Sequence, residues 1–166
     1  MPTFLHAAEL AKPERVRIPV GDSYVIGHLY LPADHRSTGT FPAVAVAGSL
    51  ISVKEQIGGI HAAEMAKRGI VALAIDYRNY GESGGAIRQY EDPAAKAEDL
   101  AAAVGFLGNR SDCRPDGVGL LGVCTSGEPS FRRRRGTPSG PGRIRSFFRI
   151  AIRIVPRRSL GRWNIT

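Results

Sequence analysis

The chain is poor in cysteine and histidine, and it runs out of both early. Of its 166 residues only Cys113 and Cys124 are cysteines, without the spacing of a disulfide framework or a zinc site. Apolar runs are short: the longest, around FPAVAVAGSLI, is about half of what a membrane helix needs. The opening residues, MPTFLHAAELAKPERV, lack the apolar stretch of a signal peptide. These absences lead us to expect a cytoplasmic protein without a transmembrane segment. The four histidines, His6, His28, His35 and His61, all lie in the first part of the chain, and after residue 127 there is neither aspartate nor lysine.

Charge is as unevenly spread. The net charge of +8 comes entirely from the last 39 residues. Residues 1–127 hold 12 basic and 14 acidic residues, whereas residues 128–166 hold 11 arginines against the single acid Glu128. The sequence pI near 10.1 is therefore a property of the tail and says nothing about the body. At 43% hydrophobic residues the chain can supply one ordinary core.

The body reads as an alternation of strands and helices. RVRIPVGDSYVIGHLYL (15–31) gives two β-rich runs separated by Gly21-Asp22, a hairpin signal. PAVAVAG (42–48) is continuously apolar, as expected of a strand buried on both faces. VKEQIGGIHAAEMAKR (53–68) fits a helix, with apolar positions at Ile57, Ile60 and Met65 and a stop at Gly69. IVALAID (70–76) is a second buried strand, followed by the Gly-rich loop YRNYGESGGAI. Asp92-Pro93 opens a second helix with Leu100, Val104 and Leu107 on one side. GVGLLGV (117–123) is a third buried strand. The order predicts an α/β fold, a mainly parallel sheet with helices on both faces.

In such sheets chemistry gathers at the carboxyl ends of the strands. Three ends can be read: Gly48-Ser49-Leu50, Asp76 with its loop, and Cys124-Thr125. Cys124 follows a buried strand directly, with small residues two positions before and after it, Gly122 and Ser126. A nucleophile on a tight strand-to-helix turn needs that spacing, because larger neighbours would strike the flanking strand and helix. The following helix N-terminus would also favour a thiolate. Ser126 is a rival nucleophile, but its own frame places the bulky Glu128 where a small residue is required. A cysteine at the end of a buried strand is, taken alone, commonly inert packing.

Three blocks in order supply the context: AGSLISVKEQ, AIDYRNYGESGG and GLLGVCTSG. With them, residues 15–127 resemble the α/β-hydrolase superfamily, specifically the dienelactone-hydrolase and peptidase-like branch with cysteine at the nucleophile elbow. The middle block is similar to the D-x-R-G-x-G-x-S pattern of many such hydrolases, with Asn79 where glycine is usual. The first block has Ala47-Gly48 in place of the common His-Gly. The resemblance implies the N-terminal portion of an α/β-hydrolase fold ending at the elbow, with Cys124 as nucleophile. It further implies an oxyanion hole made by the backbone N–H groups of Thr125 and Ser49, with Leu50 as the alternative to Ser49. One such donor is worth ~3 kcal/mol in the transition state. The implied substrate is a small ester, lactone or peptide-like acyl compound. No metal and no organic cofactor are implied, since attack, oxyanion stabilisation and water suffice. Asp76, Ser83 and the loop glycines are read as structural rather than catalytic.

The resemblance also shows what is missing. In this fold the triad order is nucleophile, acid, histidine, yet every histidine here precedes Cys124. The usual triad cannot be assembled, and the fifth strand would be left as a bare hydrophobic edge. The tail, residues 128–166, is Arg-, Gly-, Pro- and Ser-rich without lysine, as wrong-frame translations of GC-rich DNA are. We therefore expect an incomplete hydrolase, truncated or frameshifted near residue 127, with a disordered tail and little or no activity. Two other readings stay open. In one, FRRRR and RIRSFFRIAIRIVPRR bind nucleic-acid phosphate or an anionic membrane; in the other, Cys124 is a non-catalytic thiol sensor. Within FFRIAIRIV the isoleucines alternate as in a strand while Arg149 and Arg153 are helix-spaced, so periodicity leaves that stretch undecided.

Overall fold

The computed structural model describes residues 12–35, 39–49, 51–123 and, as backbone, 150–155. Strands β1 (Glu14–Val20) and β2 (Ser23–Tyr30) are joined by Gly21-Asp22 and pair antiparallel from Glu14↔Leu29 to Val20↔Ser23. A two-residue connection permits no other direction. Next come β3 (Phe41–Ala47), α1 (Ile57–Ala66), β4 (Val71–Ile75), α2 (Pro93–Gly108), β5 (Cys113–Val123) and β6 (Ile150–Val155). They form one six-stranded sheet in the order β1-β2-β4-β3-β5-β6. The parallel centre expected from the alternation is β4-β3-β5. Antiparallel neighbours flank it, β2 against β4 and β6 against β5, so the sheet as a whole is mixed.

Alternate residues of the central strands serve two cores, which is why those strands read as unbroken apolar runs. Ala43, Ala45, Ala47, Val71, Leu73, Ile75, Val118 and Leu120 face α2, where Leu100, Ala103, Val104 and Leu107 are buried against them. Val44, Val46, Ala72, Ala74 and Leu121 face α1 through Ala62, Ala63 and Ala66. The helices thus cover opposite faces. Helix α2 starts as the sequence indicates, with the Asp92 carboxylate accepting from Ala94 N (2.9 Å) and Ala95 N (3.1 Å) and Pro93 in the first turn.

Two boundaries differ from the sequence expectation. Helix α1 begins at Ile57 rather than near residue 53, because residues 53–56 form a turn in which Gln56 Oε1 accepts from Val53 N and Gln56 N donates to Val53 O. Its buried face is made of Gly58, Gly59, Ala62, Ala63 and Ala66, while Ile60 is 51% exposed. Small residues let the helix axis approach the sheet closely, so the larger apolar side chains are not the ones that mark its inner face. Strand β5 begins at Cys113, not 117, since Phe41 already pairs with Cys113 across a register shift.

Six residues of the stretch expected to be disordered form β6, paired with β5 from Val118↔Val155 to Val123↔Ile150. The strand alternative left open by the alternating isoleucines is the one adopted. The edge of β5 that the sequence would leave bare is therefore occupied.

Candidate functional site

The carboxyl ends of β3, β4 and β5 open on the same side of the sheet. The β3–β5 ladder places Ala47 beside Gly122, so Ser49 and Cys124 each follow by two residues from paired positions on adjacent parallel strands. Ser49 is half-buried, and its carbonyl accepts both the N–H and the Oγ–H of Ser52, each at 3.1 Å. Cys124, Thr125 and Ser126 lie outside the described residues, as does Leu50.

The best-defined polar constellation surrounds Asp76, at the end of β4. Its carboxylate is fully buried and accepts three hydrogen bonds: Lys54 N on Oδ1 (2.7 Å), and Lys54 Nζ (2.9 Å) and Glu82 N (2.9 Å) on Oδ2. Its backbone N–H donates to Ile26 O (2.8 Å), and its carbonyl accepts the Ser83 hydroxyl (2.7 Å). Ser83 Oγ in turn accepts Ile26 N at 2.8 Å, which stitches the loop to β2. Asp76 and Ser83 organise the loop, in line with the structural role read from the sequence.

Lys54 was not singled out by the sequence, yet its side chain is only 1% exposed. Its Nζ meets Glu55 Oε1 at 2.6 Å and Glu82 Oε2 at 2.8 Å, besides Asp76. Burial pushes this ammonium towards neutrality, but the hydrogen bonds it donates to Glu55, Glu82 and Asp76 outweigh burial and hold its pKa above the ordinary lysine value. The same ammonium lowers the Glu82 carboxyl below the usual range. A charged lysine this deep carries no sequence signature, because nothing in the run SLISVKEQ separates it from a solvated one.

The rest of the β4–α2 loop is held with similar care. Asn79 adopts φ 74°, a left-handed conformation that asparagine tolerates and that explains its presence where glycine is usual. Its Nδ2 donates to Tyr90 O at 3.1 Å. Arg78 donates through its backbone N (2.8 Å) and Nε (2.6 Å) to the fully buried Asp99, and through Nη2 to Ala95 O (2.9 Å) and Glu98 (2.6 Å), which ties the loop to α2. Burial raises the Asp99 carboxyl, with the Arg78 hydrogen bonds and charge working against it.

His28, Glu55 and Glu82 each bring one possible metal-ligand atom within 4.8 Å of the others. Lys54 Nζ already lies in hydrogen-bond contact with both carboxylates and supplies the positive charge that a metal would. The donor set therefore does not fit a resident cation. His28 stands 3.8 Å from Glu55; burial and then the Lys54 charge lower its pKa, so it is neutral near pH 7. Of the other histidines, His35 sits in a turn with Nδ1 2.9 Å from Pro32 O, and His61 is half-buried in α1. None of these lies on a strand end.

This architecture, with its central parallel strands, covering helices and antiparallel flank, is part of an α/β-hydrolase fold. No protein-family model matches the chain. Its sequence is 37% identical over 117 residues to protein PA2218 of Pseudomonas aeruginosa, covering 69% of this chain and 31% of that one. It is 41% identical over 101 residues to the thiohydrolase aneE of Aspergillus aculeatus, covering 61% of this chain and 30% of that one. The crystal structure of PA2218 superposes with a TM-score of 0.67 at 35% identity, over 72% of this chain and 38% of that one. The α/β hydrolase GrgF from Penicillium sp. sh18 superposes at 0.63 and 24% identity, over 70% and 39%. The chain spans about a third of the length of the curated relatives it matches. Among the described residues, no helix is long and apolar enough to cross a membrane.

Proposed function

We propose that residues 15–127 are the nucleophile-bearing part of a cytoplasmic hydrolase that cleaves small ester, thioester, lactone or peptide-like acyl compounds through Cys124. The observation that carries the reading is the β3–β5 ladder with Ala47 beside Gly122. Ser49 and Cys124 each follow those paired positions by two residues in sequence, which supports reading them as oxyanion donor and nucleophile of one site. Likeness to a thiohydrolase supports the hydrolytic part of this reading.

In this reading the Cys124 thiolate attacks the acyl carbon and the carbonyl electron pair moves to oxygen. The N–H groups of Ser49 and Thr125 receive that oxyanion. The leaving group departs with a proton, and water then cleaves the thioester to the acid and free thiol. A base is needed to form the thiolate, and no histidine follows Cys124. Residues 128–166 supply no histidine, and in this reading they do not continue the hydrolase.

Resequencing the coding DNA across codons 120–166 and translating all three frames tests this directly. A second frame that continues from Gly127 into a helix and then an aspartate and a histidine at later strand ends would support it. Ester hydrolysis by the restored form should then be abolished by Cys124→Ala. If no frame continues the fold, the arginine tail is native, and binding to nucleic acid or anionic vesicles becomes the activity to measure. A residual rate unchanged by Cys124→Ala would remove that residue from catalysis.

A further inference from the structure

We propose that Lys54 is a positioning residue for Ser52 and, through it, Ser49, holding the Ser49 N–H at a fixed distance from the end of β5; the naming of that N–H as an oxyanion donor rests on the function proposed above. The Ser49–Ser52 turn is closed by the two hydrogen bonds that Ser52 gives to the Ser49 carbonyl. Those bonds shape the turn, whose first residue follows β3 by two positions. Its far side is fixed two residues later, where Lys54 binds both oxygens of Asp76 through its backbone N–H and its Nζ, at 2.7 and 2.9 Å.

Asp76 can act as an anchor because it is itself immobile, tied to Ile26 through its N–H and to Ser83 through its carbonyl. Lys54 is also clamped from the helix side, since its carbonyl packs so closely on Gly59 that a Cβ there would collide with it. A chain of short contacts thus runs from β2 and β4 through Asp76 and Lys54 to the turn that begins at Ser49. A buried ion pair is seldom more stabilising than apolar packing of the same volume. What it supplies is a directional fixture, and an oxyanion donor needs one, because such donors act only when held in place before charge develops. The contacts from Glu55 and Glu82 keep Lys54 charged without bearing on the turn.

The test is amide hydrogen exchange on the full chain, comparing wild type with Lys54→Met and with Lys54→Met/Asp76→Asn. The double variant removes both charges at nearly constant shape and keeps the test decisive if the single variant does not fold. We expect the ratio of Ser52 exchange to that of the strand amides of Val46 and Leu73 to rise at least about tenfold in the variants, the strand amides themselves reporting the loss of global stability. Unchanged Ser52 exchange would overturn the proposal. So would equal acceleration of Ser52 and the strand amides, which would make Lys54 a contributor to global stability only. Steady-state kinetics on the frame-restored form gives an independent readout, with kcat expected to fall about 10- to 100-fold and KM to change less than about threefold. If the frame-restored form with Lys54 intact cleaves no ester or thioester, the hydrolase reading fails on its own, while exchange at Ser52 still decides the role of Lys54.

Discussion

The Asp76 carboxylate grips Lys54 twice, taking its backbone N–H on one oxygen at 2.7 Å and its Nζ on the other at 2.9 Å. Backbone and side chain of one residue are thus held by a single buried acid, and the β3–α1 and β4–α2 loops become one unit. Removing one partner leaves the other as a buried charge short of its main counter-ion. Lys54→Met or Asp76→Asn should each cost about 3–5 kcal/mol. Because each single variant carries the same penalty of an unpaired group, the double variant should cost less than the sum by about 2 kcal/mol. Urea denaturation of the four proteins measures the coupling, and additivity would contradict it.

Asn79 makes a second prediction from backbone conformation alone. At φ 74° a β-branched side chain is strained, so Asn79→Val should destabilise by about 1–3 kcal/mol and loosen the loop. Asn79→Gly relieves the conformation but forfeits the bond to Tyr90 O, and should lie within about 1 kcal/mol of wild type. Thermal or urea unfolding distinguishes the two. Equal costs would mean that the Tyr90 contact, not the backbone, selects the residue.

The sequence made legible those features that local chemistry dictates. Gly21-Asp22 announced the hairpin, Asp92-Pro93 the start of α2, and the unbroken runs 42–48 and 70–76 the doubly covered strands. Asn79 in place of glycine kept its meaning, since both residues suit a left-handed turn. Features that depend on distant partners were not legible. Nothing local says that β2 lies beside β4, or that Lys54 points inward to a carboxylate 22 residues away. Helix α1 hid its inner face because alanine and glycine carry little periodic signal, and the exposed Ile60 carried a misleading one. As for the site, Ser49 follows the end of β3 by two residues, while Cys124 and Thr125 fall outside the described residues.

Two glycines at positive φ separate strain from collision. Gly69, at φ 76°, ends α1 and has nothing within 4 Å of where a Cβ would stand, so Gly69→Ala should cost only the left-handed penalty of about 1–2 kcal/mol. Gly81, at φ 49°, lies against the Asp76 carboxylate, and a Cβ there would overlap both oxygens. Gly81→Ala should therefore cost clearly more, about 3 kcal/mol or above, and should disturb the Lys54–Asp76 contact as well. Unfolding free energies compare the pair, and a Gly81→Ala cost no larger than that of Gly69→Ala would show that the loop can move away from Asp76 freely.

Cys113 ties stability to alkaline pH. It is a free thiol, 3% exposed, with Sγ 3.7 Å from Asp112 Oδ1. Burial first, and then the Asp112 charge, raise its pKa from 9.0 to about 11, with Arg110 opposing. Between those values the unfolded chain loses the proton while the folded protein keeps it, so the folded state binds more protons and stability falls as pH rises. The thiol's contribution is fully present below pH 9 and is lost on the way to about pH 11, a difference of at most ~3 kcal/mol. Tyr30 and Tyr80 are also raised by burial and steepen the decline from about pH 10 upward, so the difference between wild type and Cys113→Ala isolates the cysteine. Cys113→Ala should lose about 1 kcal/mol at pH 8 through the missing sulfur, and should then decline less steeply than wild type above pH 9. Urea midpoints from pH 8 to 10.5 measure this. Parallel profiles for the two proteins would show that Cys113 titrates alike in the folded and unfolded chains.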